Sequence, residues 1–250
     1  MPDENPGDSD IENLLREIRV DFQQIGNGDF FEILANVGAQ IHAAMEKGVS
    51  PALLVKLTKS VFQMALQEIK AKNFSGTVSL NVTAAEVGSK LFLYRLKKLC
   101  EEYDFPIKNL VLELLETVTL EELQNPIIAE NIKRFSALGV KFALDDCNCR
   151  DDGETENLLE LLQKKPYRSA ITEIKLEIPK LTEYLKNQEI SRFLENWLAA
   201  GKIIVLEKDG ENFDKMKKLL DAENKYPNQI LPQNFENGKK GNLPEKVAAA

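Results

Sequence analysis

Carboxylates, amides and one lysine stand in this 250-residue chain where apolar residues would be expected. Each lies within or just after a run rich in valine, isoleucine and leucine. Asn81 is in VSLNV, Glu113 in LVLELL, and Asp145 and Asp146 follow KFAL. Lys175 is in EIKLEI and Glu207 ends IIVLE, while Glu32 in FFEIL and Gln229 in NQIL complete the set. Burying a charge without a partner is costly, so a repeated pattern of this kind asks for a shared purpose. Carboxylates with an amide oxygen, a single histidine and no thiolate cluster select hard cations such as Mg2+, Mn2+ or Ca2+. A lysine beside them would neutralise an anionic group during phosphoryl chemistry. Taken singly, an aspartate at a strand end is as readily a helix cap or a loop residue, and a lone lysine snorkels to the surface. It is the recurrence, strand after strand, that points to a site.

Those residues need elements that bring them to one place. The runs over 18–25 and 29–37 are separated by Gly26-Asn27-Gly28, a hairpin signal, and should be antiparallel neighbours. Ser50 and Pro51 read as the cap and first residue of a helix carrying Leu54, Leu57, Val61, Met64, Ala65 and Ile69 at helical spacing. From there strand and helix alternate. GTVSLNV leads to a helix near Ala84, NLVLELLE to one near Leu120, and VKFAL to one after Glu154. ITEIKLEI leads to a helix after Pro179 and KIIVLE to one after Glu211, and a short NQIL run closes the series. Strands of this composition alternating with helices predict a mostly parallel sheet covered by helices. Eight such strands predict an α/β fold, a TIM-like (β/α)8 barrel, whose strand C-termini converge on one mouth.

Composition narrows the function classes. A formal charge of −8 and a pI near 5.0 exclude a general binder of DNA or RNA, which needs a basic stripe. No apolar run reaches the length of a membrane span. The acidic, Pro/Gly-containing start reads as a disordered lead-in over 1–15, the barrel as 16–234, and 235–250 as a loose tail. Three cysteines do not make a disulfide framework, which suits a reducing cytoplasm. Cys147 and Cys149 offer too few ligands for structural zinc. Cys100 and Trp197 read as packed helix residues, and His42 as a helix-surface residue.

At these same residues the chain resembles the EAL domain family, bacterial phosphodiesterases of cyclic di-GMP. FQQI, with Gln23, is similar to that family's Y/F-Q-P-I; FEIL, with Glu32 and Leu34, stands where E-A-L belongs; VSP at 49–51 is similar to I-S-P. LNVTA resembles V-N-L-S-A, LELLET, with Glu113 and Glu116, resembles L-E-L-T-E-S, and ALDDCNC matches A-L-D-D-F-G-T-G through its aspartates. IKLE resembles I-K-I-D, VLEKDGE resembles A-E-G-V-E, and Gln229 falls where Q-G-Y begins. The resemblance runs in order from about residue 18 to 233. It implies a barrel with an antiparallel first strand, in agreement with the hairpin. It also implies that Glu32, Asn81, Glu113 and Asp145 ligate one divalent cation, Mg2+ or Mn2+. Asp146 would serve a second cation with Glu207 and Gln229 nearby, and Lys175 would stand beside the attacking water. Ca2+ would inhibit, Glu116 would support the loop, and the product would be linear pGpG.

The chain also departs from the family. The arginine of L-R-W, which implies a grip on a ligand phosphate, is replaced within Ala35-Asn36-Val37. A permanently charged, bidentate contact thus becomes a short amide at Asn36. The F-G-T-G loop is Cys147-Asn148-Cys149-Arg150, the aspartate of I-K-I-D is Glu177, and the glycine of A-E-G-V-E is Lys208. The metal-facing residues are kept while the substrate-binding shell of Gln23, Leu34, Asn36, Glu177 and Gln229 is rewritten. Two functions follow: weak hydrolysis of cyclic di-GMP, or an inactive receptor for the nucleotide or for a protein partner. Acidic residues Asp151, Asp152, Glu154 and Glu156 crowd the loop through which the family dimerises, so a monomer or a differently built dimer is expected.

Overall fold

A computed structural model describes residues 8–26, 28–36, 38–115, 118–145, 160–177, 188–207, 226, 229–233 and 243. Eight strands form one sheet in sequence order: β1 (Val20–Gln24), β2 (Phe30–Ala35), β3 (Thr77–Val82), β4 (Leu110–Leu114), β5 (Lys141–Leu144), β6 (Ile171–Glu177), β7 (Ile203–Glu207) and β8 (Ile230–Pro232). β1 pairs with β2 antiparallel, Val20 facing Ala35 and Gln23 facing Glu32, and each later pair is parallel. The two ends of the sheet meet. Ile25 bridges Gln233 antiparallel, and the Gly26 N–H donates to the Pro232 carbonyl at 2.7 Å. Gly26 turns there at φ +67°, a conformation that favours glycine.

Helices cover the outside. α2 spans Gly38–Glu46 and α3 spans Pro51–Ala71, with Ser50 extended at its cap and Pro51 in its first turn. α3 buries Leu54, Leu57, Val61, Ala65 and Ile69, the face its spacing predicts. α4 (Ala84–Val87) and α6 (Leu120–Gln124) each start with a capping box, Thr83 with Glu86 and Thr119 with Glu122. α5 spans Lys90–Glu102, α7 Pro126–Ala137, α8 Tyr167–Ala170 and α9 Gln188–Ala199. The core lies between sheet and helices, where Phe135 of α7 meets the Phe142 ring edge-on at 5.8 Å. Cys100 and Trp197 are buried in it, as their helical contexts predict.

Two boundaries differ from expectation. A helix, α1, covers Asp8–Glu17 and begins inside the segment read as a lead-in. Ile11, Leu14 and Leu15 recur at helical spacing there, and Ile11 is fully buried while Asp10 pairs with Lys47 at 2.7 Å. The composition of the first ten residues hides this, because the apolar face begins only at Ile11. Leu243, inside the expected loose tail, is also buried. The helix expected after Glu154 is described only at 160–162, which are helical, and the one after Glu211 lies outside the described residues, as do the thiols of Cys147 and Cys149 and the side chain of His42. Among the described residues, no helix is long and apolar enough to cross a membrane.

Candidate functional site

Alternation along each strand decides which side chains enter the barrel. In β3, Val78, Leu80 and Val82 pack outward on the helices, which leaves Ser79 and Asn81 facing inward. In β4 the outward residues are Leu110, Leu112 and Leu114, so Glu113 points into the lumen. The same parity puts Glu32, Glu173, Lys175 and Glu207 inside. Register then levels them: Asn81 stands opposite Glu113, and Glu177 opposite Glu207. Asp145, one residue past β5, is fixed by its N–H to the Leu114 carbonyl at 2.9 Å.

The side chains meet on one ammonium. Lys175 Nζ lies 3.0 Å from Asp145 Oδ1, 3.0 Å from Glu207 Oε1 and 3.3 Å from Glu32 Oε2, and it also pairs with Glu113 Oε1. Lys175 is 1% exposed and Glu113 fully buried. Glu32 is held from both sides. Asn81 Nδ2 donates to its Oε1 at 2.9 Å, and Gln233 Nε2 donates to its Oε2 at 2.6 Å. Burial, and then the neighbouring charge of Glu32, raise the Glu113 carboxyl well above the usual carboxylate range. Burial works against the Lys175 ammonium, but Glu113, Glu32, Asp145 and Glu207 outweigh it and raise its pKa well above the ordinary lysine value.

Asn81 Oδ1 and Glu113 Oε2 are buried side-chain oxygens with no hydrogen-bond partner. Acceptor atoms left over in a carboxylate cluster suit a hard cation, so the donor chemistry fits a divalent ion. Among the described residues, however, no three histidine, cysteine or acidic side chains converge as a ready cage. The carboxylates are gathered around the lysine instead.

Of the residues singled out from the sequence, Glu32, Asn81, Glu113, Asp145, Lys175 and Glu207 come together. Gln23 is buried beside Glu32 in register. Leu34 lines a cavity of about 170 Å³ that also touches Asn81 and Glu86. Asn36 is engaged elsewhere, its Oδ1 accepting from the Arg19 N–H at 2.6 Å. Gln229 does not reach the cluster: its Nε2 donates to the Leu198 and Lys202 carbonyls at 2.6 and 2.8 Å, at the start of β8. Gln233, four residues on and at the other end of the strand, supplies the glutamine. Both lie in NQILPQ, and only strand direction tells them apart: the mouth is at C-terminal ends. Asp146 and Glu116 lie outside the described residues, as does the Glu177 side chain. The sequence reading also missed Glu173, which is 2% exposed in the lumen below Lys175 with an unpartnered Oε1. Its charged position two residues before Lys175, on the same face of β6, was the available signal.

Fold and cluster together define an α/β-barrel protein with a carboxylate–lysine site at the strand C-termini. The family model described as EAL domain matches residues 32–153. Solved structures extend the likeness over the rest of the chain. The EAL enzyme Bd1971, in a form with cAMP and cyclic di-GMP bound, aligns with a TM-score of 0.66 at 14% identity, over 91% of this chain and 63% of that one. The PaMucR phosphodiesterase in complex with c-di-GMP gives 0.64 at 16%, over 91% and 94%. The Xanthomonas citri FimX EAL domain in complex with c-di-GMP gives 0.65 at 12%, over 90% and 89%. Residues 32–153 thus match the EAL domain family, divergently, and the fold is that of solved EAL domains. The chain spans 63% of the Bd1971 chain, and no curated protein matches it.

Proposed function

We propose that the barrel mouth binds cyclic di-GMP and slowly hydrolyses one of its phosphodiester bonds to give linear pGpG. The observation that carries this reading is the cluster itself: Glu32, Asn81, Glu113, Asp145, Lys175 and Glu207 at one end of the barrel, with oxygens to spare. Glu32, Asn81, Glu113 and Asp145 would hold one Mg2+ or Mn2+, and Asp146 a second. Such ions supply an activated water and charge stabilisation when bound. The chain's own residues do the rest. Asn81 and Gln233 fix the Glu32 carboxylate, Lys175 places a permanent positive charge where the phosphoryl oxygens would gain negative charge, and Glu207 holds Lys175 in line.

Asn36 favours a second reading, that of a silent receptor or protein-interaction module. Its carbonyl oxygen is tied to the Arg19 backbone and its side chain carries no charge, so it lacks an arginine's grip on a phosphate. One missing charge-assisted pair costs roughly 2–3 kcal/mol, on the order of a hundredfold in affinity. That weakens capture more than chemistry, so slow turnover with a raised Michaelis constant is the expected behaviour. The deciding experiment is pGpG formation at high protein concentration with Mn2+, beside a calorimetric titration of cyclic di-GMP. Product that disappears in Glu32→Ala supports hydrolysis. Binding without product selects the receptor, and neither binding nor product selects the protein-interaction module.

A further inference from the structure

We infer that Lys175 is the resident cation of the site, so that loading a divalent ion is an exchange in which the lysine's ammonium gives up oxygens to the incoming metal. The inference rests on the proposed reading of Glu32, Glu113 and Asp145 as metal-facing residues. Lys175 Nζ touches all three, through Glu32 Oε2, Glu113 Oε1 and Asp145 Oδ1. A magnesium-like ion binds its oxygens at about 2.0–2.1 Å and tolerates little distortion. An ammonium in contact with the same three carboxylates therefore stands in its way.

The arrangement also explains how the barrel holds together before any ion arrives. Glu32, Glu113 and Glu207 are buried, and Asp145 stands beside them. Carboxylates packed this closely repel, and removing the partner of a buried charge is strongly destabilising. Lys175 reaches all four from one strand, on a four-carbon stem that can shift without moving the backbone. Glu207 gives it somewhere to go. That carboxylate pairs with Nζ at 3.0 Å yet is not among the residues proposed to face the metal, so the ammonium can keep Glu207 while releasing the other three. The charge of Lys175 thus sets both the stability of the unloaded barrel and its affinity for metal.

The test uses the full chain and no nucleotide. Mn2+ affinity is measured by calorimetry, and melting temperature is followed in EDTA and in Mn2+, for the natural chain, Lys175→Met and Lys175→Gln. Both variants should melt lower than the natural chain in EDTA, regain more on adding Mn2+, and bind Mn2+ at least tenfold more tightly. A Lys175→Met chain that folds only with Mn2+ present supports the exchange. If it folds under neither condition, Lys175→Gln decides alone. Unchanged or weaker Mn2+ binding in Lys175→Gln overturns the inference, as does an unchanged melting temperature in EDTA or an absence of Mn2+ binding in every chain. Cyclic di-GMP titration judges the proposed function separately. A chain that binds nucleotide but shows no gain in Lys175→Gln keeps the function and loses the exchange.

Discussion

Glu173 carries a pH signature of its own. Burial, the largest influence on it, pushes its carboxyl up to about 7. Between the ordinary glutamate value and that point, the folded chain keeps a proton that the unfolded chain releases. The group therefore favours the fold on the acid side, and its contribution declines as pH rises through this window, by roughly 1–3 kcal/mol. Glu173→Gln should remove the decline, so its melting temperature relative to the natural chain should rise between pH 5 and pH 8. A constant offset across that range would contradict the assignment. Asp145 offers a second residue-level check: Asp145→Asn should abolish Mn2+ binding in calorimetry, and Ca2+ should inhibit any hydrolysis. Most of the cluster was legible in the sequence because polar residues inside Val/Ile/Leu runs have few ordinary explanations. Gln229 misled because it precedes β8, away from the mouth at the strand's C-terminal end, where Gln233 stands. Asn36 hid its hydrogen bond to Arg19, a contact between strands that only register reveals.

At the level of elements, strand order was readable throughout, since each strand has its own apolar run and each is followed by a helix start. α1 was not, because an acidic and proline-bearing opening masks the face that begins at Ile11. One turn shows how narrow the tolerances are. Gly76 precedes β3, where the Thr77 N–H donates to the Asp29 carbonyl at 2.8 Å and ties that strand to the hairpin. A Cβ on Gly76 would overlap that carbonyl and the Phe74 ring. Gly76→Ala should therefore cost roughly 1–3 kcal/mol in a denaturant melt, as overpacking does elsewhere. A change within a few tenths would mean that the turn is free to move. Because β3 carries Asn81, the same variant should loosen the hold on Glu32 and weaken Mn2+ binding along with stability.

For the whole molecule, the expectation of a monomer or a differently built dimer stands as a proposal. It rests on the net charge of −8 and on the acidic residues 151–156, which would face their own copies across a two-fold axis. Sedimentation should give a monomer, or a dimer that Arg150→Glu leaves intact. A tight dimer that Arg150→Glu dissociates would count against it. The charge also sets how metal and nucleotide reach the mouth: an acidic surface attracts divalent ions and repels an anionic dinucleotide, so moderate salt should speed nucleotide capture.

The seam between the first and last strands has a consequence for the order of events during synthesis. Ile25 waits for Gln233, and Glu32 waits for the same residue to supply its second hydrogen bond. A ribosome adding about 5–20 residues each second needs some ten seconds or more to cover that interval. Throughout it the growing chain carries a hairpin edge with no neighbour, and until residue 175 its carboxylates have no lysine to meet. Residues 32–153, the part most recognisable by sequence, are born before Lys175, Glu207 and Gln233 exist. A nascent chain halted anywhere short of β8 would thus look like family and yet hold no finished site.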